Sequence, residues 1–308
     1  MKVLVTGGAG FIASHIGDRL VDKGHEVVVI DDLSEGDENN LNAKATFYRM
    51  DIRSPELASV FETEKPDTVS HHAAQALVIR SLREPMLDCW VNIEGSINII
   101  HLSHRYGVKK IIYASTGGAL YGEPEYLPVD EEHPVRPLSP YGASKHTVEH
   151  YLYMYGVNYG LNYTVLRYPN VYGPRQNPHG EAGVIAIFTQ RMLDGQQPII
   201  FGDGTATRDY VYIDDIVEAN VLALDKGDRV ICNLGSNRGT SVNEIFRQLK
   251  LELDSSLEPV YMSERSGEVY KIYLTNDKAK AELGWSPKVG LEEGIRRTVE
   301  YYREQVRY

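Results

Sequence analysis

The stretch Thr6-Gly7-Gly8-Ala9-Gly10-Phe11-Ile12-Ala13 decides the fold. It follows a β-branched run at residues 3–6 and opens an amphipathic pattern over 11–23, so it joins a strand to a helix. Gly8, Gly10 and Ala13 satisfy G-x-G-x-x-A, and Gly7 adds the reading G-x-x-G-x-x-A. The chemistry calls for glycine because the turn is tight and a pyrophosphate must approach bare backbone at a helix N-terminus, where unpaired N–H groups and the helix dipole favour anions. Ala13 occupies the third glycine place, which only sets how closely helix and strand approach. A second run over 26–30 leads into Asp31, 21 residues past Gly10, where a carboxylate binds adenosine ribose hydroxyls and repels a 2′-phosphate. The expected cofactor is NAD rather than NADP.

Outward from this unit the pattern repeats. Short apolar runs at 46–50, 68–71, 109–114 and 163–168 alternate with helical periodicity over 54–64, 85–106 and 141–159. Apolar runs fed by helices predict an α/β fold, a Rossmann-like doubly wound parallel sheet covered on both faces. Past residue 170 loops and shorter helices follow, near 182–194, 214–225, 242–253, 277–283 and 291–304. The expected organisation is an NAD-binding domain over 1–170 and a smaller C-terminal α/β substrate-binding lobe over 171–308, interleaved, with no linker to mark the boundary.

Composition excludes several classes. Among 308 residues, 32 Lys and Arg stand against 43 Asp and Glu, a formal net charge of −11 that disfavours a nucleic-acid partner. A hydrophobic fraction of 42% with 24% charged residues argues against disorder. Two distant cysteines, Cys89 and Cys232, make neither a disulfide framework nor a metal cluster. Neither a signal sequence nor an apolar membrane span is visible, so a cytoplasmic protein is expected. Tyrosine is in excess, 21 against 6 Phe.

Tyr141 and Lys145 stand four apart, on one face at the start of a helix. An adjacent ammonium and an oxidised nicotinamide both stabilise a phenolate, so the pair suits general acid–base catalysis. Upstream, an apolar strand ends in Ser115-Thr116-Gly117-Gly118. Ligands of doubly wound sheets lie beyond the carboxyl ends of strands, so Ser115 or Thr116 faces a substrate hydroxyl.

Together with Asp51-Ile52-Arg53, His72-Ala73-Ala74-Gln75, Asn92 and the run from Leu166 to Arg175, these motifs resemble the extended short-chain dehydrogenase/reductase family. Within it the chain is similar to the UDP-glucose (UDP-galactose) 4-epimerases, almost end to end. The resemblance implies an NAD-dependent isomerase acting on a UDP-hexose, and a homodimer pairing the helices at 85–106 and 141–159. It implies that Gly7, Gly10, Phe11 and Ile12 bind the pyrophosphate, Asp31 the adenosine ribose, and Asp51 and Ile52 the adenine. Ala73, Ala74, Gln75 and Asn92 would line the cofactor channel, with Tyr168 near the nicotinamide. Tyr141 would be the acid–base residue, and Lys145 would bind the nicotinamide ribose and lower the tyrosine pKa. For the nucleotide sugar, Asn170 would contact the diphosphate, Phe201 the uracil, Arg208 and Arg265 the phosphates, and Glu268 the uridine ribose.

This sequence departs from the family pattern where Gly117 replaces a hydroxyl residue, so the catalytic hydroxyl falls to Thr116 or, less readily, Ser115. Ile272 lies where relatives differ in admitting N-acetylated sugars. The nearest rivals are a UDP-N-acetylglucosamine or UDP-glucuronate 4-epimerase. A 4,6-dehydratase lacks its Asp-Glu after Thr116, and a non-catalytic NAD-sensing regulator has no use for Tyr141, Lys145 and the arginines. His146 and His150 have metal-ligand spacing but no third ligand beside them, and read as surface or interface residues, with no metal expected. His71 and His72 are expected to need only packing and a backbone hydrogen bond. Asp130-Glu131-Glu132 reads as a solvated loop, and Arg80 and Arg83 as surface charges.

Overall fold

Alternation within single strands builds both layers of the core. In β1 (Lys2–Thr6), Val3 and Val5 enter one apolar cluster and Leu4 the cluster on the opposite face, as a period of two requires of a strand covered on both sides. In β2 (Glu26–Asp31), Val27 and Val29 divide in the same way from Val28 and Ile30. With β3 (Thr46–Arg49), β4 (Thr68–His71), β5 (Lys110–Thr116), β6 (Asn162–Tyr168) and a late strand, Val230–Asn233, they form a seven-stranded sheet whose neighbours are all parallel. The order is Val230–Asn233, β6, β5, β4, β1, β2, β3. The chain runs outward from β1 to β3, then crosses to β4 and proceeds the other way. The direction switches between β1 and β4, and ligands of such sheets bind beyond the strand ends at that point. The structure describes residues 1–179, 183–264 and 269–306 of this computed structural model.

The covering helices are α1 (Phe11–Asp22), α2 (Leu57–Glu64), α3 (Val78–Arg83), α4 (Pro85–Asp88), α5 (Gly95–Arg105) and α6 (Pro140–Tyr159). The helix expected over 85–106 forms from Pro85 to Arg105, with a change of winding inside it. A π-helical turn, Cys89–Glu94, separates α4 from α5, and Asn92 lies within it. Such wide turns often mark functional sites; here the Asn92 amide bonds side chains and backbone on other elements, which helical periodicity does not reveal. Helix α6 is set by Ser139, whose hydroxyl accepts from the Gly142 N–H at 3.2 Å, and by Pro140 in the first turn.

The sheet does not end at Tyr168. Val230–Asn233 pairs with β6, and the helix Ile213–Leu222 packs on α1. Residues past 170 thus return to both the edge and one face of the sheet. A small third cluster, including Leu120, Tyr121, Val129, Ile272 and Leu274, joins the loop after β5 to the C-terminal lobe. Among the described residues, no helix is long and apolar enough to cross a membrane.

Candidate active site

The glycine loop forms as the spacing predicts, and its geometry fits a dinucleotide pyrophosphate. Gly7 has φ +70°, and a Cβ there would lie 2.7 Å from the Ala73 amide nitrogen, so the loop packs directly on the chain leaving β4. Gly10 precedes α1 without any side-chain cap, leaving the first-turn N–H groups to other partners. Phe11 and Ile12 begin that turn and pack partly against the core. Asp31, at the end of β2, is 7% exposed and accepts from the Ala9 N–H at 2.9 Å and the Leu33 N–H at 2.8 Å. A carboxylate has about four acceptor positions, so it keeps capacity for ribose hydroxyls.

A buried chain of hydrogen bonds ties this loop to β4. Ser96 donates to the Asn92 carbonyl, so His71 donates from Nε2 to Ser96 Oγ at 2.9 Å and accepts at Nδ1 from Thr6 Oγ1 at 2.6 Å. Thr6 Oγ1 in turn accepts from the N–H groups of His72 and Ala73. The expectation of a mere backbone bond for His71 and His72 is corrected: their ring partners are hydroxyls, Ser70 in the case of His72. Burial first, then the charge of Lys145, pushes His71 well down and His72 to about 3, so both rings are neutral. Ala74 and Gln75 follow on the same segment. Gln75 and Asn92 exchange two hydrogen bonds, from Gln75 N to Asn92 Oδ1 at 2.8 Å and from Asn92 Nδ2 to the Gln75 carbonyl at 2.9 Å. Asp51 is held by the Arg53 guanidinium, and Ile52 is buried in the α2–α5 layer.

Tyr141 and Lys145 stand at the C-terminal end of β5. Lys145 is 4% exposed and donates Nζ to the Ala114 carbonyl at 3.0 Å, beneath the Tyr113 ring at 5.0 Å and 6.0 Å from the Tyr141 ring. Burial lowers its ammonium to about 8. Tyr141 keeps an opening to solvent, yet its dense surroundings push the phenol up to about 12, against a lowering hydrogen bond from the Thr116 hydroxyl. The lowering comes from Thr116 and not from Lys145.

Ser115 and Thr116 point to opposite faces. Ser115 donates to Glu149 Oε1 at 2.6 Å, inside a buried network in which Arg167, its register partner on β6, binds both Glu149 oxygens at 3.0 and 2.6 Å. Arg167 also donates to the Tyr121 hydroxyl at 2.7 Å, and Tyr121 to Asn233 at 2.8 Å. The network reaches Glu131, which accepts from the Asn233 N–H at 2.5 Å and whose carboxyl burial pushes up. Glu131 is therefore not the solvated residue expected. Tyr168, the register partner of Thr116, exchanges hydrogen bonds with Asn220 and stacks on His72 at 6.2 Å.

Asn170 and Arg208 converge with Gly117, Gly118, Asp209, Ile272 and Leu274 on one narrow crevice. Asp209, buried and raised to about 6, accepts from the Leu274 N–H at 2.9 Å and from Ser236. A Cβ on Gly117 would lie 2.3 Å from Leu274 Cδ1, so Leu274 occupies the room a side chain at 117 would need. Phe201 lies on a separate small sheet, Ile199–Phe201 paired with Val260–Met262. Arg265 and Glu268 lie outside the described residues. His146 and His150 approach at 3.1 Å between Nε2 atoms, with His146 Nδ1 3.2 Å from Glu149 Oε2. Arg80 pairs with Glu35 on the surface.

Sequence reading missed Asp88, Glu149 and Asp209. Asp88 left a trace in its i,i+4 spacing to Asn92 and Glu149 in its i,i+4 spacing to Lys145, whereas Asp209 left none.

The doubly wound sheet, the glycine turn before α1 and Asp31 at the end of β2 define the class of dinucleotide-binding enzymes, with Tyr141 and the buried Lys145 at the C-terminal end of β5. The chain belongs to the NAD dependent epimerase/dehydratase family, whose model matches residues 3–235. A UDP-glucose 4-epimerase from Thermotoga maritima, solved with UDP-glucose, superposes with TM-score 0.98 at 52% identity, covering 99% of this chain and 100% of that one. A Thermus thermophilus UDP-glucose 4-epimerase, solved with NAD, gives 0.94 at 45% identity, covering 98% and 99%. A Mycolicibacterium smegmatis UDP-glucose 4-epimerase is 42% identical over 99% of both chains.

Proposed function

We propose that the protein interconverts UDP-glucose and UDP-galactose. The observation that carries this reading is the Thr116–Tyr141–Lys145 cluster at the end of β5, between the glycine cradle and the cleft holding Asn170 and Arg208. The similarity to UDP-glucose 4-epimerases along the whole chain supports the choice of sugar. NAD, which the glycine turn and Asp31 would hold, would supply a hydride acceptor and donor for the sugar C4. Tyr141 Oη takes the C4 hydroxyl proton as the 4-keto sugar forms and gives it back on reduction. Thr116 aligns that hydroxyl, and Lys145 supports charge on the phenol. Asn170 and Arg208, with Arg265 and Glu268, hold the nucleotide; Arg208 offers a planar fork to phosphate. A firmly held diphosphate and a loosely held hexose let the 4-keto sugar turn and present its other face.

The test is a panel of UDP-glucose, UDP-galactose, UDP-N-acetylglucosamine and UDP-glucuronate, run without added cofactor. Interconversion of the first two is expected, with Tyr141→Phe inactive. Turnover confined to the N-acetylated or uronate sugar would replace the substrate, and full activity in Tyr141→Phe would remove the base.

Residues 1–170 carry the cofactor and 171–308 the nucleotide sugar, with Val230–Asn233 and Ile213–Leu222 returned to the first unit. Exposed Met86, Trp90, Tyr153, Met154, Val157 and Tyr159 on α4, the π turn and α6 support a homodimer through these helices. Light scattering showing a monomer at micromolar concentration would refute it. The free thiols of Cys89 and Cys232 support a cytoplasmic location.

A further inference from the structure

We propose that Arg167 and Glu149 are a pair of positioning residues that set how α6 sits on β5, and so place Tyr141 and Lys145 against Thr116. The inference rests on the reading of Thr116, Tyr141 and Lys145 as the reacting cluster.

Tyr141, Lys145 and Glu149 follow one another at four-residue intervals along α6 and lie on one face of it. Two of them meet consecutive residues of β5. Lys145 Nζ donates to the Ala114 carbonyl at 3.0 Å, and Glu149 Oε1 accepts from the Ser115 hydroxyl at 2.6 Å, one residue short of Thr116. Glu149 is itself gripped from β6: Arg167 donates Nε to Oε1 and Nη2 to Oε2, a fork that fixes the plane of the carboxylate as well as its place. Ser115 adds one neutral donor beside that fork. Both charged side chains are buried, Glu149 at 2% and Arg167 at 3% exposure.

The same guanidinium also fixes the facing wall of the site. Its Nη1 donates to Tyr121 Oη at 2.7 Å, and Tyr121 donates to Asn233 Oδ1 at 2.8 Å. Asn233 Nδ2 donates to the Val129 carbonyl at 3.2 Å, and Val129 pairs through its own N–H and carbonyl with the backbone of Tyr273 and Thr275, which flank Leu274. Leu274 lines the crevice with Gly117 and Asn170. Arg167 thus stands between the α6 cluster and the loop that faces it. A buried ion pair is a poor source of stability, because apolar side chains of similar volume often serve as well or better. What apolar packing does not reproduce is direction, and a misplacement of about 1 Å at a reacting group can cost about 10²-fold in rate.

The test uses the full-length protein with NAD bound and two variants. Glu149→Gln combined with Arg167→Met removes both charges and leaves no buried ion unpaired, and Arg167→Lys keeps the charge without the planar fork. In whichever variant folds, kcat is expected to fall at least about tenfold with KM within about threefold of wild type. A pair that serves stability alone leaves kcat at the wild-type level once the neutral double variant has folded, and that result overturns the proposal. A second readout needs no turnover: hydrogen exchange of the amides over 141–149 is expected to rise at least about tenfold relative to β1 and β4, whereas a uniform change or none counts against the proposal. Wild-type protein inactive on all four UDP-sugars would defeat the functional reading and leave this exchange to decide whether the pair places α6. Failure of both variants to fold would assign the pair to stability alone, against the proposal.

Discussion

Ser115 and Thr116 are adjacent in β5, yet their hydroxyls serve opposite faces of the sheet: Ser115 is bound 2.6 Å from Glu149 Oε1, whereas Thr116 lies on the side of the Tyr141 phenol and lowers its pKa. Successive side chains of a strand alternate faces, so the two hydroxyls cannot serve one site. Thr116→Val should lower kcat by about 10²-fold, the lower end for a lost acid–base contact. Ser115→Ala should stay within a few-fold of wild type and lose about 1 kcal/mol of stability. Steady-state rates and denaturant unfolding of the two variants check both statements.

The buried Glu149–Arg167 pair should dominate acid sensitivity. Burial alone would raise Glu149, but hydrogen bonds from His146, Arg167 and Ser115 bring it from 4.5 down to about 2. A depressed folded-state pKa contributes stability that is complete above about 4.5 and disappears as pH falls toward 2, about 3 kcal/mol in all. Unfolding free energy measured across this window should fall steeply in wild type and more gently in Glu149→Gln. Arg167→Met leaves the carboxylate buried and unpaired, and should cost about 3–5 kcal/mol at neutral pH.

Gly117 and Leu274 share one volume. Gly117→Ala places a methyl 2.3 Å from Leu274 Cδ1 and should destabilise by about 1–3 kcal/mol through overpacking. In the double variant with Leu274→Ala the penalty for the added methyl should vanish. Additive losses in the thermodynamic cycle would mean that the two side chains do not compete.

Asp31 should set the choice of dinucleotide. Asp31→Ser removes the acceptor that also holds the Ala9 N–H, so NAD affinity should drop at least about tenfold and the preference over NADP should narrow. Equilibrium titration with both dinucleotides measures this directly.

Much of the frame is local in origin and readable from sequence alone. Six of the seven sheet strands, the glycine turn, Asp31 at the end of β2 and the four-residue spacing of Tyr141 and Lys145 follow from periodicity and steric rules that act within a few residues. What periodicity leaves blank is what distant segments do to each other. The late strand Val230–Asn233 is a strand because β6 offers it an edge, the π turn forms where Asn92 bonds a loop 17 residues away, and Asn92 reaches Ser144 only after this segment packs on α6. The choice between Ser115 and Thr116 belongs to the same group. Alternation along β5 separates the two hydroxyls, but only packing of Glu149 and Arg167 against one face decides which of them is left for Tyr141. Local sterics and hydrogen bonding write the elements into the chain, whereas burial and long-range electrostatics, which exist only once the layers close, select the working residues among them.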